Sequence, residues 1–354
     1  MVRRSLLLLV MLAPAVRYRI AEAFAMQRGG WERETADGYV HIMGGERIGP
    51  GSLAEHGEAV IARRRHYAVF YGDEAPPAGY GLVVGNCQAE SLRLIVSSDA
   101  LPGVRVPAVH ELTPEDAVHL HRLLAGASWL VAQPIRDDYL GLPLGTAQLR
   151  AALPSHARSL TVPIVRFGGL YPFQAAIRVP GVDEDPPLVA YHDVRVLAEA
   201  AGLPVARELS RDGVREVAAA SVAELRRREA LGIDIVASDL LSPVVVDLAR
   251  TVNHPGNAIW MPLGDRVVAA LGAPGTAVDP GRPILAGVRA PLEPWVLDAW
   301  DLDDAPRPDW IVAGEELSVE AVRSAHLEWY AAHPAFVAAA MERLAPLIAR
   351  WRAA

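Results

Sequence analysis

Cys87 is the only cysteine in 354 residues. It sits where an apolar run, Gly81–Val84, gives way through Gly85-Asn86 to a helical pattern starting at Gln88. A helix N-terminus presents unpaired N–H groups and a partial positive charge. Both favour a thiolate over a thiol and would stabilise an oxyanion formed beside it. The position suits a reactive or ligand-contacting cysteine, and equally a small residue filling a tight strand–helix joint. Of 11 histidines, His192 and His254 stand at element boundaries. His254, in Thr251-Val252-Asn253-His254-Pro255, precedes a proline and is therefore held extended. Such a histidine can serve as general base for a nucleophile that the fold brings near. Asn253-His254-Pro255 also fits a turn in which the imidazole ring caps backbone groups.

Other chemistries have no pattern to rest on. His119 and His121 are spaced (i, i+2) on a helix, do not share a face, and make poor metal ligands. No His-Glu-x-x-His, P-loop or Gly-x-Gly-x-x-Gly stands at a strand–helix junction. One cysteine excludes an intramolecular disulfide and a cysteine-based zinc site, so no metal is expected. A net charge of −8 argues against a broad nucleic-acid footprint. All 34 basic residues are Arg, which weakens any argument from arginine clusters. The hydrophobic fraction of 51% and charged fraction of 21% are those of a globular chain.

The elements that must position these groups follow from periodicity. Val104–Val109, Trp129–Gln133 and Leu160–Phe167 read as strands after Gly81–Val84. Thr113 with Pro114 starts a helix that runs to about Ala125. Further helices are expected from His192-Asp193 to about Ala201, over Ser210–Arg228, over Pro243–Arg250, and over Ala258–Leu271 with Asn257 as N-cap. Alternating strands and helices predict an α/β fold, a parallel sheet with helices on both faces in three Rossmann-type layers. Residues 78–272 form that core. Residues 1–77 read as an irregular N-terminal extension in which Arg63-Arg64-Arg65 is a solvated face. Residues 273–354 are a Trp- and Pro-rich segment ending in a C-terminal helical extension, with Ser318 capping one helix and another following Pro334. Arg3-Arg4 and Leu6–Leu12 resemble a signal peptide, but Arg17 and Arg19 interrupt it and the run is too short to span a bilayer. A true start at Met26 or Met43 explains the stretch equally, so a cytoplasmic location is expected, with secretion as the alternative.

Ligands of open α/β sheets bind beyond the carboxyl ends of the strands. Three such ends carry polar groups: Asn86-Cys87-Gln88, Gln133 with Asp137-Asp138-Tyr139, and Arg166–Tyr171. Cys87, Gln133 and His254 converge on one pocket only if the helix after Asn257 packs beside the helix after Cys87.

Taken together, Gly85-Asn86-Cys87-Gln88, Gln133-Pro134-Ile135-Arg136-Asp137-Asp138-Tyr139, the Pro163–Pro172 segment with Phe167 and Tyr171, and Asn253-His254-Pro255 resemble the WcbI-type polysaccharide biosynthesis enzymes, in order over residues 78–345. The resemblance implies a variant of the SGNH/GDSL hydrolase architecture with Cys where the serine nucleophile usually stands. It implies coenzyme A binding and acetyl transfer in capsular or cell-surface polysaccharide biosynthesis. On that basis Cys87 is nucleophile or thioester-facing residue and His254 the general base. Asn86, Gln88, Gln133, His192 and Asn253 line the oxyanion and substrate sites. Arg136 and Arg166, from their strand-end positions, meet the CoA phosphates. The partners are acyl-CoA and a glycan or glycan precursor, and a homo-oligomer is compatible. The residue three before His254 is Thr251, not the acid of an Asp-x-x-His pair, so the orienting acid is unassigned. An esterase or deacetylase using water, and a non-catalytic CoA- or sugar-binding module, are the alternatives.

Overall fold

The computed structural model describes residues 60–179, 181–182 and 184–351, with 40–41, 47–48 and 58 besides. The signal-like stretch and both alternative starts lie outside the described residues. The core begins earlier than residue 78. A helical turn at Ala68–Tyr71 inserts Phe70, fully buried, into the sheet's first apolar layer. Arg63 is not on a solvated face either. Its Nε donates to the Tyr71 hydroxyl at 2.9 Å, and its guanidinium reaches Glu111 at 3.5 Å and Asp116 at 3.4 Å.

Gly81–Val84 is strand β1 and Cys87–Val96 helix α1. Then come β2 (Gly103–Val104), α2 (Pro114–Leu124), β3 (Trp129–Ala132), α3 (Thr146–Ala151) and β4 (Arg158–Thr161). The four strands pair in the order β2-β1-β3-β4, all parallel. The short apolar runs are strands buried on both faces, as parallel sheets require. Leu82, Val84, Leu130 and Ala132 meet Leu120, Leu123 and Leu124 of α2. The alternate residues Val83, Trp129 and Val131 meet Leu92 and Ile95 of α1 on the other face. This is the expected three-layer α/β arrangement. Helix α2 starts where the sequence says, because Thr113 and Asp116 form a reciprocal capping box.

Next are β5 (Gln174–Ala175), β6 (His192–Asp193), α4 (Val194–Ala200), α5 (Arg211–Glu229), β7 (Ala249–Thr251), β8 (His254–Pro255) and α6 (Asn257–Ala270). Helix α6 packs beside α1, and Gly264 permits the close approach: a Cβ there would lie 2.2 Å from Ile95 Cγ2. The condition for bringing His254 to the sheet edge is thus met.

Four expectations change. The strand expected over Leu160–Phe167 stops at Thr161. Pro163 has no N–H to donate, the backbone of Val165 pairs with the Gln88 side chain, and the Phe167 N–H donates to Val252 O at 2.8 Å. Of the strand expected over Val104–Val109 only Val104 is in β2, and a 3₁₀ turn follows at Val109–Glu111. The helix expected over Pro243–Arg250 is only a 3₁₀ turn, Val246–Leu248, before β7. The β-branched run Val244-Val245-Val246 disfavours a helix. Asn257 does not cap α6. The cap position is Gly256, the Asp247 carboxylate accepts from Ala258 N at 2.8 Å, and Asn257 instead binds Arg282 O and Ile284 N.

The C-terminal segment holds more than helices. β9 (Val288–Arg289), α7 (Pro294–Trp300), β10 (Trp310–Val312) and β11 (Glu315–Leu317) include a three-stranded antiparallel sheet. Helices α8 (Val319–Ala332) and α9 (Pro334–Trp351) then pack on α4 through Trp329, Tyr330, Phe336 and Leu197. Among the described residues no helix is long and apolar enough to cross a membrane.

Candidate active site

Cys87 is the first residue of α1 and half-buried. The turn before it is built from side chains. Asn86 caps the helix, its Oδ1 accepting from Gln88 N at 2.9 Å. The Asn86 N–H donates to Gln133 Oε1 at 2.8 Å. Gln133 can cross there because residue 85 is Gly: a Cβ would lie 2.3 Å from that oxygen. Gln133 is in turn anchored at the end of β3, its N–H donating to Val84 O and its carbonyl accepting from the Thr146 hydroxyl.

The β7–β8 hairpin brings His254 to this turn. Its Nε2 lies 3.9 Å from Cys87 Sγ, across 167 residues of sequence. That is loose for a hydrogen bond and within reach for proton transfer once a ligand tightens the site. Gln88 fastens the hairpin to the sheet edge. Its Nε2 donates to Val165 O at 2.7 Å and Asn253 O at 2.8 Å, and its Oε1 accepts from Val165 N at 3.0 Å. Gln88 is therefore consumed by structure and offers no side-chain donor to substrate, contrary to the expectation. Asn253 is engaged through its acceptor only, its Oδ1 taken by the Tyr191 hydroxyl at 2.8 Å. Among the described residues, the Cys87 N–H and the side-chain amide N–H groups of Asn86, Gln133 and Asn253 have no hydrogen-bond acceptor, while the amide oxygens of those three are engaged. Those are the donors left for an oxyanion.

His192 stands elsewhere. Adjacent residues of an extended chain point opposite ways. Tyr191 faces His254, while His192 is buried against α8 and α9, its Nδ1 2.6 Å from the Tyr330 hydroxyl. It belongs to an aromatic core with His326, Trp329 and Phe336. Arg136 is exposed, its guanidinium 6.0 Å from the Tyr139 ring. Arg166 lines a cavity of about 300 Å³ together with Arg228 and has no carboxylate partner among the described residues. Burial lowers its pKa, and the neighbouring Arg228 and Arg343 lower it further. A larger cleft of about 1050 Å³ is lined by Tyr191, Arg195, Trp310 and His326 among others. Neither cavity is lined by Cys87 or His254, so chemistry rather than volume picks the site.

The helix terminus does not make Cys87 a resting thiolate. Burial pushes the thiol up to about 11, against a weaker pull from the N–H groups of Cys87 and Gln88 and from Arg166. Glu111, held near by the Val109 N–H to Gly85 O bond, pushes it further up. Burial alone holds His254 down at about 4. At neutral pH the pair is therefore thiol and neutral imidazole. The folded thiol ionises later than the unfolded one, so Cys87 lowers stability only above the free-thiol range, as pH rises toward 11. His254 lowers it only below about 6.5, as pH falls toward 4. Alkylation of Cys87 without ligand should climb with a midpoint near 11. A midpoint at or below about 8.5, the free-cysteine value, would show that the helix terminus outweighs burial.

Sequence reasoning missed Tyr191, Thr251 and Glu111. Tyr191 and Thr251 surround His254, and Glu111 acts on Cys87. A lone Tyr and a lone Thr carry no motif. The position of Thr251 three residues before His254 was the one available signal. No group of three or more potential metal ligands occurs among the described residues.

Comparison with known proteins adds two findings. A family profile described as polysaccharide biosynthesis enzyme WcbI matches residues 80–276. A solved structure of WcbI aligns with a TM-score of 0.59 at 21% identity, covering 75% of this chain and 99% of that one. It is described as the native protein without a disulfide bond between CoA and one of its cysteines. At that identity the likeness establishes the fold. No curated protein sequence matches the chain.

Proposed function

Because this chain belongs to the WcbI family of polysaccharide biosynthesis enzymes, we propose that it transfers an acyl group, acetyl in the simplest case, from coenzyme A to a hydroxyl of a cell-surface glycan or its precursor. The observation that carries the proposal is the Cys87–His254 pair, 3.9 Å apart beside unengaged amide donors at a helix N-terminus. The parallel order with the cysteine directly after β1 also suits the SGNH-like reading.

The CoA reading rests on Arg166, unpaired and close to Arg228 and Arg343 at the edge of the site. Arg166 and Arg228 would hold phosphate groups. In the first step Cys87 Sγ attacks the thioester carbonyl and the carbon–sulfur bond to CoA breaks. His254 takes the thiol proton and returns it to the departing CoA thiolate. In the second step the glycan hydroxyl attacks the acyl-cysteine. His254 takes that proton and hands it to Cys87 as it leaves. The carbonyl oxygen faces the Cys87 N–H and the amides of Asn86 and Gln133. A thiol near 11 opposite an imidazole near 4 favours attack concerted with proton removal over a preformed thiolate.

Labelled acetyl-CoA incubated with the protein and a neutral oligosaccharide should place label transiently on Cys87 and then on sugar hydroxyls. CoA should also protect Cys87 from alkylation. Release of free acetate with no labelled sugar would assign the site to an esterase. Alkylation unchanged by CoA, with no label anywhere, would overturn the enzymatic reading in favour of a binding module.

A further inference from the structure

Among the described residues, no carboxylate reaches His254 to orient it as the acid of a serine or cysteine triad does. No charged group acts on it, and its Nδ1 is buried without a partner among the described residues. Its working nitrogen, Nε2, meets one other group besides Cys87, the Tyr191 hydroxyl at 3.1 Å. That hydroxyl has two acceptors within reach, Nε2 and the Asn253 Oδ1 at 2.8 Å. The Thr251 hydroxyl backs it, donating to Tyr191 Oη at 3.1 Å or to Asn253 Oδ1 at 3.2 Å. The Tyr191 ring is fixed separately, packed at 6.0 Å and 22° on Trp310.

We propose that Tyr191, backed by Thr251 and Asn253, is the positioning residue that stands in for the missing acid on His254. The proposal rests on His254 being the proton-moving group described above. While the imidazole is neutral, the Tyr191 O–H donates to Nε2. When Nε2 takes the proton from Cys87 or the glycan, the Tyr191 O–H turns to Asn253 Oδ1. Its oxygen then accepts from the new Nε2–H. No bond other than the transferred N–H is made, and Tyr191 keeps its own proton throughout. Nδ1, sealed in the core, has no route for exchange, so all proton traffic uses Nε2. The arrangement orients the ring and receives its N–H without adding a charge.

Tyr191→Phe removes the hydroxyl and keeps the ring on Trp310, so the fold should persist. Acyl transfer should fall about 10- to 100-fold in kcat while CoA affinity stays within about two-fold, the range of a lost general-base partner. Alkylation of Cys87 by iodoacetamide should slow about 10-fold or more at pH 8, and this readout stands even if no glycan is acylated. Thr251→Val should give a smaller loss that does not multiply with Tyr191→Phe, since both act on one hydroxyl. In a His254→Ala background, Tyr191→Phe should change the alkylation rate no further. An alkylation rate unchanged by Tyr191→Phe, independent effects of the two substitutions, or a Tyr191 effect that survives without His254 would each overturn the proposal. Unchanged transfer with slowed alkylation would instead overturn the two-step reading of the reaction and leave the Tyr191–His254 coupling standing.

Discussion

Cys87→Ala is expected to lose acyl transfer by about 10³-fold or more, the scale set by removal of a nucleophile from a working constellation. It should do so with little effect on the fold. The side chain is half-buried at the first position of α1, and alanine is a good helix former there. Among the described residues the sulfur's one polar contact is loose, 3.9 Å to His254, and truncation removes a single atom from the turn. A stability change on the order of 1 kcal/mol follows. The oxyanion donors are backbone and amide groups that the substitution does not touch, so a residual rate over the uncatalysed reaction should survive. Single-turnover transfer and chemical denaturation on the same preparation separate the two effects. If the alanine protein aggregates or unfolds where the wild type does not, Cys87 is a packing residue and the nucleophile assignment falls. If it folds and retains full transfer, acyl passes directly from CoA to the glycan with His254 as base and Cys87 as a wall.

Gln88→Leu is expected to be the most destabilising change in the site, on the order of 3–5 kcal/mol. Gln88 is 1% exposed and holds three backbone groups, Val165 N, Val165 O and Asn253 O. Leucine fills the space and satisfies none of them. Each buried group left unpaired costs roughly 1–3 kcal/mol, with partial relaxation of the two loops. Gln88→Glu should be nearly as harmful, because a carboxylate can accept from Val165 N but cannot donate to two carbonyl oxygens. Where some folded protein survives, transfer should drop as well, since the Asn253 carbonyl is what fastens the His254 hairpin to the edge below Cys87. Urea midpoints for wild type, Leu and Glu variants measure this directly. A leucine variant within about 1 kcal/mol of wild type would mean that the hairpin is held by its own turn and by Asp247, and that Gln88 fills space only.

Local chemistry was enough for much of this. The buried run Gly81–Val84, the run Trp129–Gln133 that holds a strand to Ala132, the Thr113-Pro114 start of α2, the helix beginning at Ser210 and the Ser318 cap are legible because their causes lie within a few residues. The strand–Gly-Asn-Cys-Gln–helix turn was legible for the same reason, and with it the place of Cys87. Where tertiary partners compete with local preference, the sequence misled. Val165 and Phe167 look like strand residues, and their backbones bond to a side chain from α1 and a loop from the hairpin. Asn257 looks like a cap, and Asp247 from ten residues earlier does part of that work.

The sequence by itself determined an α/β core and a lone cysteine at a helix N-terminus. Only the tertiary structure decided what that cysteine faces. Packing α6 on α1 carries His254 to within 3.9 Å of it, and extended backbone at residues 191 and 192 turns Tyr191 toward the site and His192 into the core. Burial, a property of the whole fold, then sets the thiol near 11 and overrides the local pull of the helix terminus toward a thiolate.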